Sequence, residues 1–244
     1  MILSFDEFLE HINNVTTELS KGVVWYRGHS DSAFKLLPTL KRQLGYINEA
    51  GMFYDYKSHA AGINGSNKDD WELLLDMQHY GLPTRMLDWT SSLGTAMYFA
   101  LKDNPVSPCI WLLDPFSLSL KSTNEETIFD VSVMNHTNSN LNTNFNVFHL
   151  ITNKSAFNVP FAIQPPHGNR RIAAQRGMFS VHGNSSLPIE EQCPEAVRKI
   201  IIPNSLIKPI SQYLGTLGID DLSLFPDQYG LSCLLKKKYG VVNS

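Results

Sequence analysis

Stretches of helical spacing and short β-branched or aromatic runs alternate along this whole chain, and that alternation constrains its fold more than any other feature. Ser4 followed three residues later by Glu7 has the capping-box pattern, and Phe5, Phe8, Leu9 and Ile12 recur at helical spacing, which predicts an amphipathic helix over residues 4–19. Val23 to Tyr26 reads as a strand that delivers Arg27 and Gly28 at its end. A loop and a helical turn follow over residues 30–45, then a helix from about Asn48 to Ala60 and a surface connection from Gly62 to Asn67. Asp69 with Glu72 starts a helix that sets Trp71, Leu74 and Leu75 on one face and stops at Gly81. Past a turn at Leu82-Pro83, Thr90 or Ser91 caps the clearest helix of the chain, whose apolar stripe is Leu93, Ala96, Met97, Ala100 and Leu101.

The second half continues the pattern. Cys109 to Leu113 reads as a buried strand closed by Asp114-Pro115, and Phe157 to Ile163, Gly177 to Val181 and Lys199 to Ile202 are β-like. Asn204 to Leu214 is helical, and Pro226 sits in the first turn of a last helix running to Lys238. The asparagine-rich stretch from Asn135 to Asn146 predicts a surface loop. With no internal repeat and no visible boundary, residues 1–244 read as one domain.

Composition removes several function classes. A net charge of -3 gives no global attraction to nucleic acid or anionic membrane, so contact with an anion has to come from a local cationic cleft. Cys109, Cys193 and Cys233 are odd in number and widely spaced, which argues against a disulfide scaffold and structural zinc, for a reducing, cytoplasmic setting, and for no metal. Asp6, Glu7 and Glu10 stand where a signal peptide would be basic and then apolar, and no apolar run approaches the roughly 20 residues of a membrane span, so no membrane partner is expected. The phosphate loop, Gly-x-Gly-x-x-Gly, His-Glu-x-x-His and Gly-x-Ser-x-Gly patterns are missing, which weighs against kinase, dinucleotide dehydrogenase, zincin and esterase chemistry.

Two stretches use residue types that packing alone rarely asks for: Trp25-Tyr26-Arg27-Gly28-His29, and the block Gln78-His79-Tyr80-Gly81-Leu82-Pro83-Thr84-Arg85-Met86-Leu87-Asp88-Trp89-Thr90. Arg27 beside a glycine can fork onto a pyrophosphate where the missing side chain lets a ligand approach, or it can bridge to Asp88 or Asp31. His79 at a helix end favours a cationic imidazole and suits a structural bond as well as proton transfer. Arg85 and Asp88, three apart in a turn, can pair with each other, and Trp89 either stacks on a base or plugs the core. Arg170, Arg171 and Arg176 either offer donors to a nucleotide's phosphates or form a solvated basic turn, with Gln175 between them able to hydrogen-bond a ribose or a base edge.

The segments Tyr26-Arg27-Gly28-His29, Leu37-Pro38-Thr39-Leu40, the block from Gln78 to Thr90, and Ala96-Met97-Tyr98-Phe99-Ala100 resemble the FRG domain family, named for an aromatic-Arg-Gly motif. The likeness continues in Pro165-Pro166-His167, in Arg171-Ile172-Ala173-Ala174-Gln175 with Gly177 and Phe179, and in Leu224-Phe225-Pro226-Asp227. A further similarity is to ADP-ribosyltransferases whose first core strand carries an aromatic-Arg-Gly sequence with an arginine that holds NAD, and Thr90-Ser91-Ser92 stands in for their Ser-Thr-Ser strand. No Glu-x-Glu or Gln-x-Glu motif occurs near Gln175, so the acid comes from Asp88 or Glu72, or the site binds a nucleotide without cleaving it.

These resemblances imply a single α+β domain with a central split or mixed sheet flanked by helices, ADP-ribosyltransferase-like, that uses NAD for ADP-ribose transfer or hydrolysis, as a bacterial toxin or anti-phage effector. In that reading Arg27 clamps the pyrophosphate, His79 and Gln175 orient ribose hydroxyls, and Asp88 holds Arg85 or polarises the nucleophile. Tyr26, Gly28, Gln78, Thr84, Arg85, Trp89 and Thr90 complete the cofactor contacts, and a protein or nucleic acid is the acceptor. The alternatives are a non-catalytic module for a nucleotide or RNA, and a purely architectural network among Gln78, His79, Arg85 and Asp88.

Overall fold

In chain order the helices and strands are α1 Phe5–Leu19, β1 Trp25–His29, α2 Thr39–Arg42, α3 Glu49–Asn64, α4 Asp70–His79, β2 Met86–Thr90, α5 Leu93–Leu101, β3 Cys109–Leu113, α6 Pro115–Thr123, β4 Phe129–Asp130 and α7 Val131–Met134. They continue with α8 Val147–Ile151, β5 Phe161–Gln164, α9 Arg170–Ala174, β6 Gly177–Val181, α10 Ile189–Gln192, β7 Val197–Ile201, α11 Ile207–Thr216, α12 Asp221–Leu224 and α13 Gln228–Lys238. This computed structural model describes residues 4–20, 22–43, 45, 47–64, 68–102, 104–134, 145–166 and 168–241, so most of the expected asparagine-rich loop, and His167, lie outside the described residues. No helix among the described residues is long and apolar enough to cross a membrane.

Local chemistry explains the helix ends. Ser4 and Glu7 form the expected capping box on α1, and Asp69 and Glu72 form another on α4. α4 stops because Gly81 takes a left-handed φ of 82°, its N–H bonding to Gln78 O at 3.1 Å while Leu82 N–H bonds to Met77 O at 2.9 Å, the pair of bonds that closes a Schellman motif. Several boundaries differ from expectation: β1 runs from Trp25 through Arg27 and Gly28 to His29, α3 runs on to Asn64, Ser92 rather than Thr90 or Ser91 caps α5, β5 starts at Phe161, β7 starts at Val197, and Pro226 precedes the Asp227 cap of α13.

The strands form one open, mixed, seven-stranded sheet in the order β4-β5-β6-β2-β1-β3-β7, antiparallel except for the β4–β5 pair. The fold is thus α+β, with helices on both sides of the sheet. β1 pairs with β3, and β2 with β6, over five residues each, whereas β1 and β2 meet only at Tyr26 and Thr90. The two halves part beyond that point, so the sheet is both mixed and split.

Side-chain alternation sorts the core accordingly. On one side Trp25, Leu87, Trp89, Cys109, Trp111, Leu113 and Ala162 pack as a cluster that spans both halves. On the other side there are two clusters, one of Met86, Phe161, Ile163, Phe179 and Val181 under α4, the other of Ile110, Leu112 and Ile200 under α1, α5 and α11. β2 was expected to be a turn. Its residues are buried on both faces, with only Asp88 exposed, so the strand carries no period-two signal to separate it from a loop.

Gly28 is where α5 lies against β1. A Cβ there would stand 1.9 Å from Ala96 O and 2.5 Å from Ala100 N, so the glycine serves helix-on-strand contact rather than the approach of a ligand.

Candidate functional site

A cleft of about 680 Å3 opens where β1 and β2 part, bounded by α5, α9 and the turn between α12 and α13. Tyr26, Arg27, Gly28, Gln78, Asp88, Trp89, Thr90 and Gln175 all line it. His79 lines an adjoining recess of about 60 Å3 that shares Gln78, Asp88, Trp89, Arg171 and Gln175. Segments far apart in sequence therefore converge on one accessible place, with Thr84 and Arg85 left out of it.

Arg27 shares a strand face with His29, two residues on, and its guanidinium reaches across the split to the other half. Nε donates to His29 Nε2 at 2.9 Å, and Nη1 donates to Asp88 O at 2.5 Å and lies 3.8 Å from Asp88 Oδ2. Nη2 has no partner among the described residues, and the side chain is 20% exposed. Burial lowers the arginine's pKa from its ordinary value, Asp88 opposing the shift. Burial, with Arg27 alongside, pushes the His29 imidazole down to about 3, so it stays neutral and its Nε2 can accept the Arg27 N–H. That acceptor is a strand-period effect missed in the sequence, although residues i and i+2 of any strand share a face.

A second chain of bonds orders the carboxylate. Thr84 Oγ1 accepts from Met86 N–H at 3.1 Å and donates to Gln78 Oε1, which turns Gln78 Nε2 toward Asp88 Oδ2 at 2.8 Å. Thr84 is 1% exposed and so acts on the cleft only through Gln78. The Asp88 side chain is 56% exposed, and Oδ1 has no partner among the described residues.

Four expectations are corrected by the geometry. Arg85 does not pair with Asp88: it is fully buried and bidentate with Glu49, Nε to Oε1 at 2.8 Å and Nη2 to Oε2 at 2.5 Å, because β2 turns its side chain into the core. Trp89 does not present its ring for stacking, since its indole is 3% exposed and Nε1 donates to Ser180 Oγ at 3.0 Å. A cationic His79 is disfavoured, because burial and then Arg171 lower its pKa. Arg171 is not a solvated turn residue: it is half-buried and lines the cleft, while Arg170 and Arg176 are exposed.

Gln175 and Thr90 tie the walls together. Thr90 Oγ1 donates to Gln175 O at 2.7 Å, and Gln175 Nε2 donates to Leu224 O at 3.1 Å, which fixes the turn that carries Phe225. Glu72 remains in its α4 cap, away from the cleft. The wall opposite Arg27 is built on Phe225, with Arg171 Cζ 4.5 Å and Lys102 Nζ 4.7 Å from its ring centre. Neither cation has an acidic partner among the described residues. Phe34, 49% exposed and edge-on to His29, and Tyr229, 58% exposed and edge-on to Phe225, add two further rings. Sequence reasoning missed Lys102 and Tyr229 as site residues, for only the turn after α12 brings Phe225 against the two cations. No cluster of three or more His, Cys, Asp or Glu able to hold a metal occurs among the described residues.

In this α+β fold the cationic, ring-lined cleft at the split of the sheet is the candidate site. Residues 22–107 match the family model of the FRG domain. The match contains Arg27, His29, Gln78, Asp88 and Lys102, while Arg171, Gln175, Phe225 and Tyr229 come from beyond it. No curated protein and no solved structure matches the chain.

Proposed function

We propose that the cleft binds a nucleotide through its phosphates, with a dinucleotide such as NAD as the first candidate. The observation that carries this reading is the pair of cations on Phe225. Arg171 and Lys102 sit against one buried ring with no carboxylate to separate them, facing an arginine whose Nη2 is open. Two cations gathered on one ring without a carboxylate favour an anion with several oxygens, and guanidinium forks suit phosphate. The exposed Phe34 and Tyr229 rings offer stacking surfaces for a base, and about 680 Å3 lies within the range of about 300–1,000 Å3 usual for small-ligand sites.

Asp88 favours a second reading, in which a bound NAD is cleaved. An open carboxylate oxygen beside Arg27 can stabilise positive charge on a ribose carbon as the glycosidic bond breaks, nicotinamide leaving with the electron pair and water or an acceptor oxygen taking its place. Thermal shift separates the readings from the outset. NAD, ADP-ribose and ATP at 100 times Kd are expected to add about 2.7 kcal/mol, read as roughly 5–11 °C in Tm, while adenosine adds little. No shift with any phosphate-bearing nucleotide refutes the binding proposal. Binding without nicotinamide release refutes the cleavage reading alone.

A further inference from the structure

The cleft does not end at Phe225. A second cavity of about 650 Å3 lies among α5, α11, α12 and α13, and it shares Lys102 and Tyr229 with the first. Its far end is lined by Lys236 and Lys237 in the last turn of α13. Two carboxylates also line it, and both are already engaged: Asp220 Oδ1 accepts from Ser223 N–H at 2.8 Å, and Asp221 Oδ1 accepts from Tyr98 Oη at 2.6 Å. Lys102, Lys236 and Lys237 have no ion-pair partner among the described residues.

We infer that the two cavities form one trough that takes a short single-stranded nucleic acid, with one nucleotide seated in the cleft and the strand running past Tyr229 toward Lys236 and Lys237. This rests on the nucleotide reading of the cleft and gives its ligand a direction and a length. The groups that line the trough are those a strand uses: exposed rings at Phe34 and Tyr229, and cations at Arg27, Arg171, Lys102, Lys236 and Lys237. Cations follow a phosphate backbone while rings stack with bases regardless of their identity. A chain of net charge -3 has no general affinity for polyanions, so this row of cations gives the trough a local affinity that the whole molecule lacks. A duplex, with its stacked bases turned inward, has no use for rings recessed beside α13.

Fluorescence anisotropy of ten-residue labelled oligo-dT and oligo-rU, titrated with the full chain over a salt series, tests this. Phosphates met by Arg27, Arg171, Lys102, Lys236 and Lys237 give a log–log salt slope of about -3.5, or roughly a 100-fold loss of affinity from 50 to 200 mM salt. The double variant Lys236→Ala/Lys237→Ala is expected to flatten the slope to about -2, and to leave the thermal shift by ADP-ribose unchanged. Lys238→Ala is the control, since that lysine carries the same charge on the same helix end and does not line the cavity. Equal loss in Lys238→Ala, or tighter binding of a duplex of the same length, overturns the trough. Absent strand binding with the ADP-ribose shift intact overturns it and spares the nucleotide reading, whereas absence of both removes the two together.

Discussion

Arg85 and Glu49 make the sharpest test of how this chain separates structure from function. Their side chains are 0% and 7% exposed and share two hydrogen bonds, and Arg85 also donates to His182 O at 3.2 Å and Asn153 Oδ1 at 3.3 Å. Arg85→Met leaves a carboxylate buried without its cation, and Glu49→Leu leaves a guanidinium with only neutral acceptors. Each should destabilise by about 3–5 kcal/mol, since one partner of a buried pair is then an uncompensated charge. At roughly 2–4 °C per kcal/mol for a chain of this size, that is a fall in Tm of about 6–20 °C. In the double variant both charges are gone, and what remains is a His182 carbonyl without its donor, worth about 1–3 kcal/mol. The double should therefore be more stable than either single, a coupling of several kcal/mol in a double-mutant cycle by urea denaturation. It should also retain nucleotide binding, because neither residue lines the cleft. If the single Arg85→Met lies within about 1 kcal/mol of the parent, or if the double loses the sum of both singles, the reasoning fails.

Three further outcomes follow from the cleft and its supports. Arg27→Ala should weaken nucleotide binding about 10- to 100-fold in calorimetric titration, the worth of a charged hydrogen bond, and lower Tm by about 2–12 °C, since His29 Nε2 and Asp88 O lose their donor at a cost of about 1–3 kcal/mol. Gly28→Ala should destabilise by about 1–3 kcal/mol or more in thermal denaturation, since its Cβ would meet the α5 backbone at 1.9 Å and the helix has to move. Burial holds His29 and His182 near a pKa of about 3, against 6.5 for the unfolded chain, so between those values the unfolded state binds the extra protons. Stability should then fall as pH drops below about 6.5, by about 1.4 kcal/mol per pH unit for each histidine, and His29→Gln should remove its own share of that slope.

The parts of this fold visible in the sequence are those with a local chemical signature. The Ser4–Glu7 and Asp69–Glu72 caps, the stripe of α5 and the glycine after α4 each signal their own element within a few residues. β6 and β3 were legible as apolar runs between turn residues. β2 was not, because Met86 and Leu87 are buried on opposite faces, and the polar Asp88 and Thr90 belong to the split rather than to solvent. The same holds for the site. Arg27, Gln78, Asp88 and Gln175 stood out as polar residues without a packing reason, and they do meet in one cleft. The partners that give them their roles were hidden: Glu49 opposite Arg85 is 36 residues away in the chain, and Leu224 opposite Gln175 is 49 away. A single sequence carries no signal for pairings at that range.

The single residue pair that joins β1 to β2 gives the molecule a narrow waist. Arg27 belongs to one half-sheet, while Asp88 belongs to the other and Arg171 to α9, the helix that leads into β6 of that second half, so a guest gripped by all three acts as a clasp across the waist. Seating that guest and drawing the halves together become one equilibrium, and whatever pries the halves apart also lets it go.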